Sequence, residues 1–475
     1  MKLEQLTLQN YRCFENLTIQ LHPELTVLIA PNGAGKTTVL DAARVAVWPF
    51  VKGFDLGSQT GKAATIQPSD VRLCQQSDGN MEPQLPSSIT ATGRYLPQME
   101  AQTWTQTRER IKAGTNTLTD KTTKQITAAA TDLEQQARQG QGDITLPLVS
   151  YLGTSRLWFE GRFTSEAKDT VLDRAQYSRT SGYLNCLSYA SSFKAFTAWY
   201  GWVYRSYLES QIHALQRKEP LDATGQRFEH MVQVVQQAVD ALVKNATGWH
   251  RLEYSQRHHQ QLVMDHPQHG VMPVDMLSDG LRNAIAMVAD LAFRAYKLNP
   301  QLGKEAALQT PGIALIDEVD MFLHPSWQQT ILGSLRAAFP KLQFIVTTHS
   351  PQVLTSVEAT CIRKLVPHTN PDTGAQTVVA ENVSCQTRGV ASADVLARIM
   401  KVDPVPDVPE ARQLADYHRL IQQNLHESDD GQVLRQALNT HFGPNHPVMH
   451  ECDRIIRLQA FKQRLPVQRA TAGQG

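Results

Sequence analysis

The chain has 475 residues, 41% of them hydrophobic and 19% charged, which supplies a folded core and excludes a disordered chain. Its 46 Lys and Arg against 45 Asp and Glu leave a formal net charge of +1, which excludes attachment to nucleic acid by bulk charge and leaves only local basic stripes to consider. No apolar run reaches the ~18 residues of a membrane span, and MKLEQLTLQNYRCF lacks the apolar block of a secretory signal, so a cytoplasmic protein with no membrane partner is expected.

Leu6 and Leu8, then Leu17, Ile19 and Leu21, alternate with polar neighbours and predict two strands. Leu25 to Ala30 (LTVLIA) is a continuous apolar run, the pattern of a strand buried on both faces. It runs into PNGAGKTTVLDAARVAV, a glycine-rich turn opening a helix. Residues 51–143 are rich in Gly, Pro, Ser, Thr and Gln, with Pro83, Pro86 and Pro97 as breakers. They predict strands and loops that elaborate the first lobe, with a helix near Thr119 to Arg138. Leu146 to Phe159 predicts another buried strand ending in a loop. From about Ser191 to Val243 the spacing turns helical: Phe193, Phe196, Trp199, Tyr200 and Val203 recur at three and four, as do Met231, Val235, Ala238 and Leu242. Short buried strands return at Ile313 and Phe344. After about Gly389 the pattern is helical, with apolar stripes at Leu414, Tyr417, Leu420 and Ile421 and at Met449, Cys452 and Ile456, and a turn at Gly443 to Pro447. These shifts divide the chain into residues 1–145, 146–270, 271–388 and 389–475: an N-terminal lobe with the glycine loop, a strand plus inserted helical lobe, a lobe with the remaining motifs, and a helical C-terminal region.

Four motifs carry chemistry. In Ala30-Pro31-Asn32-Gly33-Ala34-Gly35-Lys36-Thr37-Thr38, bare backbone at Gly33 and Gly35 lets N–H groups curl around a phosphate at a helix N-terminus. Lys36 supplies a cation to the terminal phosphates, and the Thr37 hydroxyl is placed for Mg²⁺. Ala30 stands where the usual pattern has Gly, outside the part that touches phosphate. In Gly312-Ile313-Ala314-Leu315-Ile316-Asp317-Glu318, a short apolar strand delivers two carboxylates at its end, where ligands meet a parallel sheet. Asp317 is the candidate Mg²⁺ residue, acting through water, and Glu318 the candidate base for an attacking water. Leu277-Ser278-Asp279-Gly280-Leu281-Arg282 precedes a helix, so Ser278 is either a helix cap or an anion site. His349 follows the apolar strand FIVTTHS, which presents an imidazole at the same sheet edge.

With these motifs in this order, residues 1–50 and 270–365 resemble the ABC-type ATPases of the SMC, Rad50 and RecF group, whose fold is an α/β ATPase head with a mixed β-sheet, here carrying an inserted helical lobe and a C-terminal helical region. The resemblance implies ATP and Mg²⁺ as cofactors. It makes Ser278 to Arg282, with Ser278 and Gly280, the signature that caps the γ-phosphate held by a second subunit, so a homodimer or higher homo-oligomer with composite sites is expected. Val319 and Asp320 would begin the loop after the carboxylates, His349 would contact the γ-phosphate, and Arg12, in NYRCFENL, would lie near the nucleotide. Gln67 is the candidate for the glutamine of the connecting loop. Only 241 residues separate Lys36 from Ser278, with no heptads, unlike the long coiled coils of SMC and Rad50 chains. LPLVSYLGTSRLW, SGYLNCLSYASSFKAFTAWYGW and PVMHECDRIIRLQ are similar to the PtuA ATPases of Septu and retron-linked antiphage systems, which implies an HNH nuclease partner.

The remaining clusters read as structure. His258, His259, Asp265, His266 and His269 read as a solvated loop rather than a metal site. Arg156, Arg162, Lys168, Arg174 and Arg179 could touch DNA, but Glu160, Glu166, Asp169 and Asp173 intervene and a solvated face is expected. The six cysteines lie outside any CxxC pair, as reduced structural thiols do. No glutamate followed by a DxD pair succeeds His349, which argues against a nuclease built into the chain. The expected function is therefore an ATP-hydrolysing regulatory subunit of an antiphage complex. A RecF-like repair ATPase that binds DNA directly is the alternative.

Overall fold

Leu25–Ile29, apolar but for Thr26, needs cover on both faces, and the computed structural model of the chain places it as strand β3 inside a six-stranded sheet. The structure describes residues 1–56, 63–96, 98–112, 117–140, 144–156, 178–188, 193–369 and 376–464. The described residues form two units, Met1–Val395 and Leu396 onward.

In the first unit, strands are numbered in chain order. The six-stranded sheet runs β16 (Gln376–Asn382), β15 (Ile362–Thr369), β3, β14 (Leu342–Thr347), β13 (Gly312–Ile316), β9 (Leu148–Leu152). Five of its strands are parallel and β16 is antiparallel, so the sheet is mixed as expected. The C-terminal ends of β3, β13 and β14 therefore share one edge, the edge at which parallel sheets bind ligands. Strands that meet in it come from residues near 25, 150 and 310–380, so no single stretch of the sequence makes this sheet.

A second, antiparallel sheet has the order β2 (Phe14–Gln20), β1 (Lys2–Tyr11), β6 (Ser87–Arg94), β7 (Gln102–Arg108), β8 (Leu118–Thr119). Helix α1 (Lys36–Lys52) lies between the two sheets, which explains why almost every side of it is buried. Pro49 sits inside α1 and has no N–H to offer the carbonyl of Val45 four residues earlier. The Gln106 amide on β7 donates to that carbonyl at 2.6 Å, and the Trp104 indole donates to the next one, Ala46, at 2.8 Å. The expected helix in the loop-rich region is α2 (Lys121–Arg138), capped by the Asp120 side chain. The hairpin β4–β5 (Leu73–Gln75 and Met81–Pro83) completes this lobe.

The helical spacing after residue 191 resolves into α3 (Phe193–Arg217) and α4 (Ala223–Thr247). Phe196, Trp199 and Tyr200 are buried and in ring contact, as core aromatics should be. Phe193's side chain lies outside the described residues. The meander β10 (His250–Ser255), β11 (Gln261–His266), β12 (Gly270–Pro273) follows and leads into α5 (Asp279–Leu298). Asp265 and His266 thus end a strand rather than lying in the loop expected of them. The His266 ring accepts the N–H groups of Gln268 and His269, stacks on the His269 ring and meets Trp249 at a tilt, so its job is to close the β11–β12 turn.

The second unit is a small helical core. Helices Pro409–Gln422, Asp429–Phe442 and Pro447–Arg464 bury Tyr417, Ile421, Leu438, Met449 and Cys452 together, with Leu434 and Phe442 packed against them. Each such apolar side chain contributes about 1.5–3 kcal/mol when fully buried.

Candidate functional site

The loop after β3 has the backbone its glycines allow. Gly33 and Gly35 lie at φ +77° and +95°, a region that costs a side-chain-bearing residue dearly. A Cβ on Gly35 would also stand 2.4 Å from the Phe14 ring and 2.8 Å from Cys13 Sγ, so the β1–β2 turn presses on the loop from below. Asn32, Gly33 and Thr37 are exposed, Ala34 is partly so, and Lys36 and Thr38 are buried behind them. The Lys36 ammonium is 7% exposed as a residue and donates to the carbonyls of Ala30 (2.9 Å) and Pro31 (3.3 Å). Ala30 at the first motif position therefore contributes its backbone oxygen, which any residue has. Burial lowers the Lys36 pKa, and Asp317 and Glu318 act in the opposite direction.

The second half of the site arrives on β13. Asp317 is 4% exposed and accepts the Thr37 hydroxyl at 3.0 Å, a contact between residues 280 positions apart. Thr347 donates to its other oxygen at 2.6 Å. Glu318 follows at φ +46°, a left-handed conformation that costs a non-glycine residue about 1–3 kcal/mol and recurs where geometry serves chemistry. His349 follows β14 with its side chain exposed at the same edge.

Ser278 occupies the N-cap position of α5, yet its exposed hydroxyl makes no cap hydrogen bond, so it is not spent on the helix. Behind it Gly280 is buried so closely that a Cβ would meet the Phe322 carbonyl oxygen at 2.2 Å. The Asn283 amide donates to the Met321 carbonyl at 3.1 Å. The start of α5 is thus bound to the segment that follows Asp317 and Glu318.

Two further expected residues, Arg12 and Gln67, are held by neighbours within the chain. Arg12 pairs with Asp41 at 2.5 Å and Asp70 at 2.8 Å, tying the β1–β2 turn to α1 and to the 68–70 turn. Burial would lower its pKa, but Tyr11 and the two carboxylates raise it, so it stays charged. The Gln67 side chain turns to Thr65, at 2.8 Å from its hydroxyl. Of the basic residues considered for DNA, Arg179 is not on a solvated face: it donates to the Leu298 and Ile144 carbonyls at 2.6–2.8 Å. The side chain of Arg156, and Arg162, Lys168 and Arg174 entirely, lie outside the described residues. Sequence reasoning missed Thr347 and Thr348, the partners of Asp317 and Asp320. Their signal was the doubled threonine before His349, which gains meaning only once β13 and β14 are known to be neighbours.

The donor set suits a magnesium nucleotide. A helix N-terminus, a glycine cradle, one buried cation and a carboxylate sharing a hydroxyl are the partners that phosphates and a hard divalent ion take. Among the described residues no helix is long and apolar enough to cross a membrane, and no group of three His, Cys, Asp or Glu forms a separate metal site.

The chain is similar to several known proteins. One family model, described as "AAA domain", matches residues 5–228, and another, described as "AAA domain, putative AbiEii toxin, Type IV TA system", matches residues 128–355. The chain is 24% identical to the "Retron Ec83 probable ATPase" of Escherichia coli over 95% of this chain and 86% of that protein. It is 41% identical to the "Septu protein PtuA" of Bacillus mycoides (strain KBAB4) over 75 residues, 16% of this chain and 10% of that one. A solved SMC head bound to the C-winged helix domain of ScpA aligns at 13% identity and a TM-score of 0.45, covering 81% of this chain and 98% of that one. In its loop, strand order, paired carboxylates and sequence the chain is similar to the retron and Septu PtuA ATPases.

Proposed function

We propose that this chain binds and hydrolyses ATP as the regulatory subunit of an antiphage defence complex, and that nucleotide-dependent pairing of its heads controls a partner HNH nuclease. The observation that carries the ATP part is the Thr37–Asp317 contact, which joins the phosphate loop to the strand-end carboxylate. The likeness to a retron ATPase along nearly the whole chain supports the defence part.

In this reading, backbone N–H groups from Asn32 to Thr38 cradle the phosphates. Lys36 leaves the Ala30 and Pro31 carbonyls to meet the terminal phosphates. Thr37 and Asp317 would hold Mg²⁺, which when bound neutralises phosphate charge. Glu318 takes the proton of the attacking water, and His349 donates to the oxygen on which charge develops. Ser278 and Gly280 complete the site of a second copy, for which the uncommitted Ser278 hydroxyl is available. Arg12 supports the loop from beneath through Asp41 rather than by touching phosphate. The residue divisions 1–145, 146–270, 271–388 and 389–475 then correspond to loop lobe, inserted lobe, motif lobe and a tail that carries a partner. Arg179, committed to backbone carbonyls, gives no support to the DNA-binding alternative.

Nucleotide binding and phosphate release by purified protein test the assignment. Lys36→Ala should abolish ATP binding. Glu318→Gln should retain binding and lose turnover by about 10²–10⁴-fold, the usual contribution of a positioned base. Normal turnover in Glu318→Gln means that another group is the base. The same wild-type protein with DNA and Mg²⁺ or Mn²⁺ should leave the DNA uncut unless the nuclease partner is added; cutting by the purified chain that is lost on mutating its own residues overturns the regulatory role.

A further inference from the structure

Thr347 closes strand β14, and the parallel register that pairs Ile316 with Val346 brings it alongside Asp317. Its side chain is wholly buried and makes two bonds of opposite sense. The hydroxyl donates to Asp317 Oδ1 at 2.6 Å and accepts the backbone N–H of Glu318 at 2.8 Å. A hydroxyl has one proton, so giving it to the carboxylate leaves a lone pair for the amide, and the two bonds fix each other's direction. The Thr347 carbonyl then accepts the N–H of Val319 at 3.0 Å. One residue thus holds three consecutive positions, 317 to 319, and the middle one is the left-handed Glu318. The next residue, Thr348, donates to Asp320 Oδ1 at 2.5 Å. Asp317 is gripped from two sides, by Thr37 on the loop and by Thr347 on the strand leading to His349.

We propose that Thr347 is a positioning residue for phosphate transfer: it aims the Asp317 carboxylate at Thr37 and holds the Glu318 backbone in its left-handed turn, so the strand end that carries His349 sets the geometry of both acidic residues. The inference rests on Asp317 and Glu318 serving bound ATP as described above. Valine keeps the shape of Thr347 and removes its hydroxyl, whereas serine keeps the hydroxyl. In Thr347→Val the carboxylate loses its donor and the Glu318 amide its acceptor, while Lys36 and the loop backbone are untouched.

The test measures affinity for a non-hydrolysable ATP analogue with Mg²⁺ and with EDTA, phosphate release, and melting temperature, all on the full chain. Thr347→Val should leave the affinity in EDTA unchanged, reduce the gain from Mg²⁺, and lower turnover by about 10–100-fold, as removing a group that orients a metal's ligand does. Thr347→Ser should restore both. In an Asp317→Asn background, adding Thr347→Val should change the Mg²⁺ dependence little, because the residue acts through Asp317. Wild-type Mg²⁺ gain and turnover in Thr347→Val, equal damage in the serine variant, or a full additional loss in the Asp317→Asn background each overturn the proposal. Should the valine variant not fold, Thr347→Cys, with only a weak donor, is read in the same way. Normal turnover in both Lys36→Ala and Glu318→Gln would instead mean that the ATP site itself is misplaced.

Discussion

At Gly280 the close packing leaves no room for a methyl group. Its neighbour is a backbone carbonyl, that of Phe322, which cannot rotate away as a side chain can. Gly280→Ala should therefore push the start of α5 away from residues 321–323, at a cost of about 1–3 kcal/mol, as overpacking does. Melting temperature and phosphate release should fall together while analogue binding persists; an unchanged melting temperature would show that the segment yields freely. Single residues of this kind were only partly legible. Gly33, Gly35, Lys36 and Thr37 announce themselves because a phosphate loop is a local motif whose residues act within nine positions. Thr347 and the Arg12 pairs with Asp41 and Asp70 do not, because each is defined by a neighbour that the chain reaches only after folding.

Helix α5 shows what an element adds. Its N-terminus carries Ser278, and on its buried flank Arg294 pairs with Asp290 at 2.7 Å and donates to the Gly182 and Leu184 carbonyls. Its Nε meets a carboxylate and its Nη1 two carbonyls, and such pairing is the condition under which a buried charge is tolerated. Lys297, one turn on, is less favoured, and burial lowers its pKa from 10.5 to about 8. Below that pH folded and unfolded chains both carry the proton, and the fold bears the cost of the buried charge. Between about pH 8 and pH 10.5 the unfolded chain holds more protons, so stability rises with pH through that window. Lys297→Met should thus raise stability below pH 8 by about 1–3 kcal/mol, a gain that fades by about pH 10.5. Melting curves from pH 6 to about pH 11 decide it, and a gain independent of pH would refute the buried charge as its cause. The apolar spacing of α3 and α4 was readable because a 3.6-residue period survives in a single segment. The strands that residues 87–119 add to the antiparallel sheet were foreseen only as unspecified strands, because Thr- and Gln-rich strands carry little contrast between their two faces.

For the whole molecule the open question is how many copies make one working site. Ser278 has no duty in its own helix cap, and Ser278→Arg should leave analogue binding nearly intact while blocking ATP-dependent association and hydrolysis. Mixed with Lys36→Ala, which binds no nucleotide but offers an intact Ser278, it should regain at most one working site per pair. Mass measurements with and without ATP, alongside phosphate release, test both statements. Full activity of a monomer would sink the composite site. The order of the motifs made the ATPase head legible from the sequence, since the loop, serine, carboxylates and histidine each end or begin an element at one sheet edge. The proposed nuclease partner is not legible in that way, because nothing in a docking surface obeys a spacing rule.

The sheet order has a consequence for the protein's birth. β3 is made among the first thirty residues, but its two neighbours, β14 and β15, follow only after roughly 300 more. At about 5–20 residues per second a ribosome needs roughly 15–60 s to supply them. Through that interval a largely apolar strand stands with both edges unpaired, the state in which chains pair wrongly with one another. The phosphate loop exists as sequence almost at once, yet it gains its carboxylate partner only when Asp317 has emerged and Thr347 has followed. A growing chain is therefore blind to ATP for most of its synthesis, and its yield in a cell depends on how well those first strands are shielded until the last ones arrive.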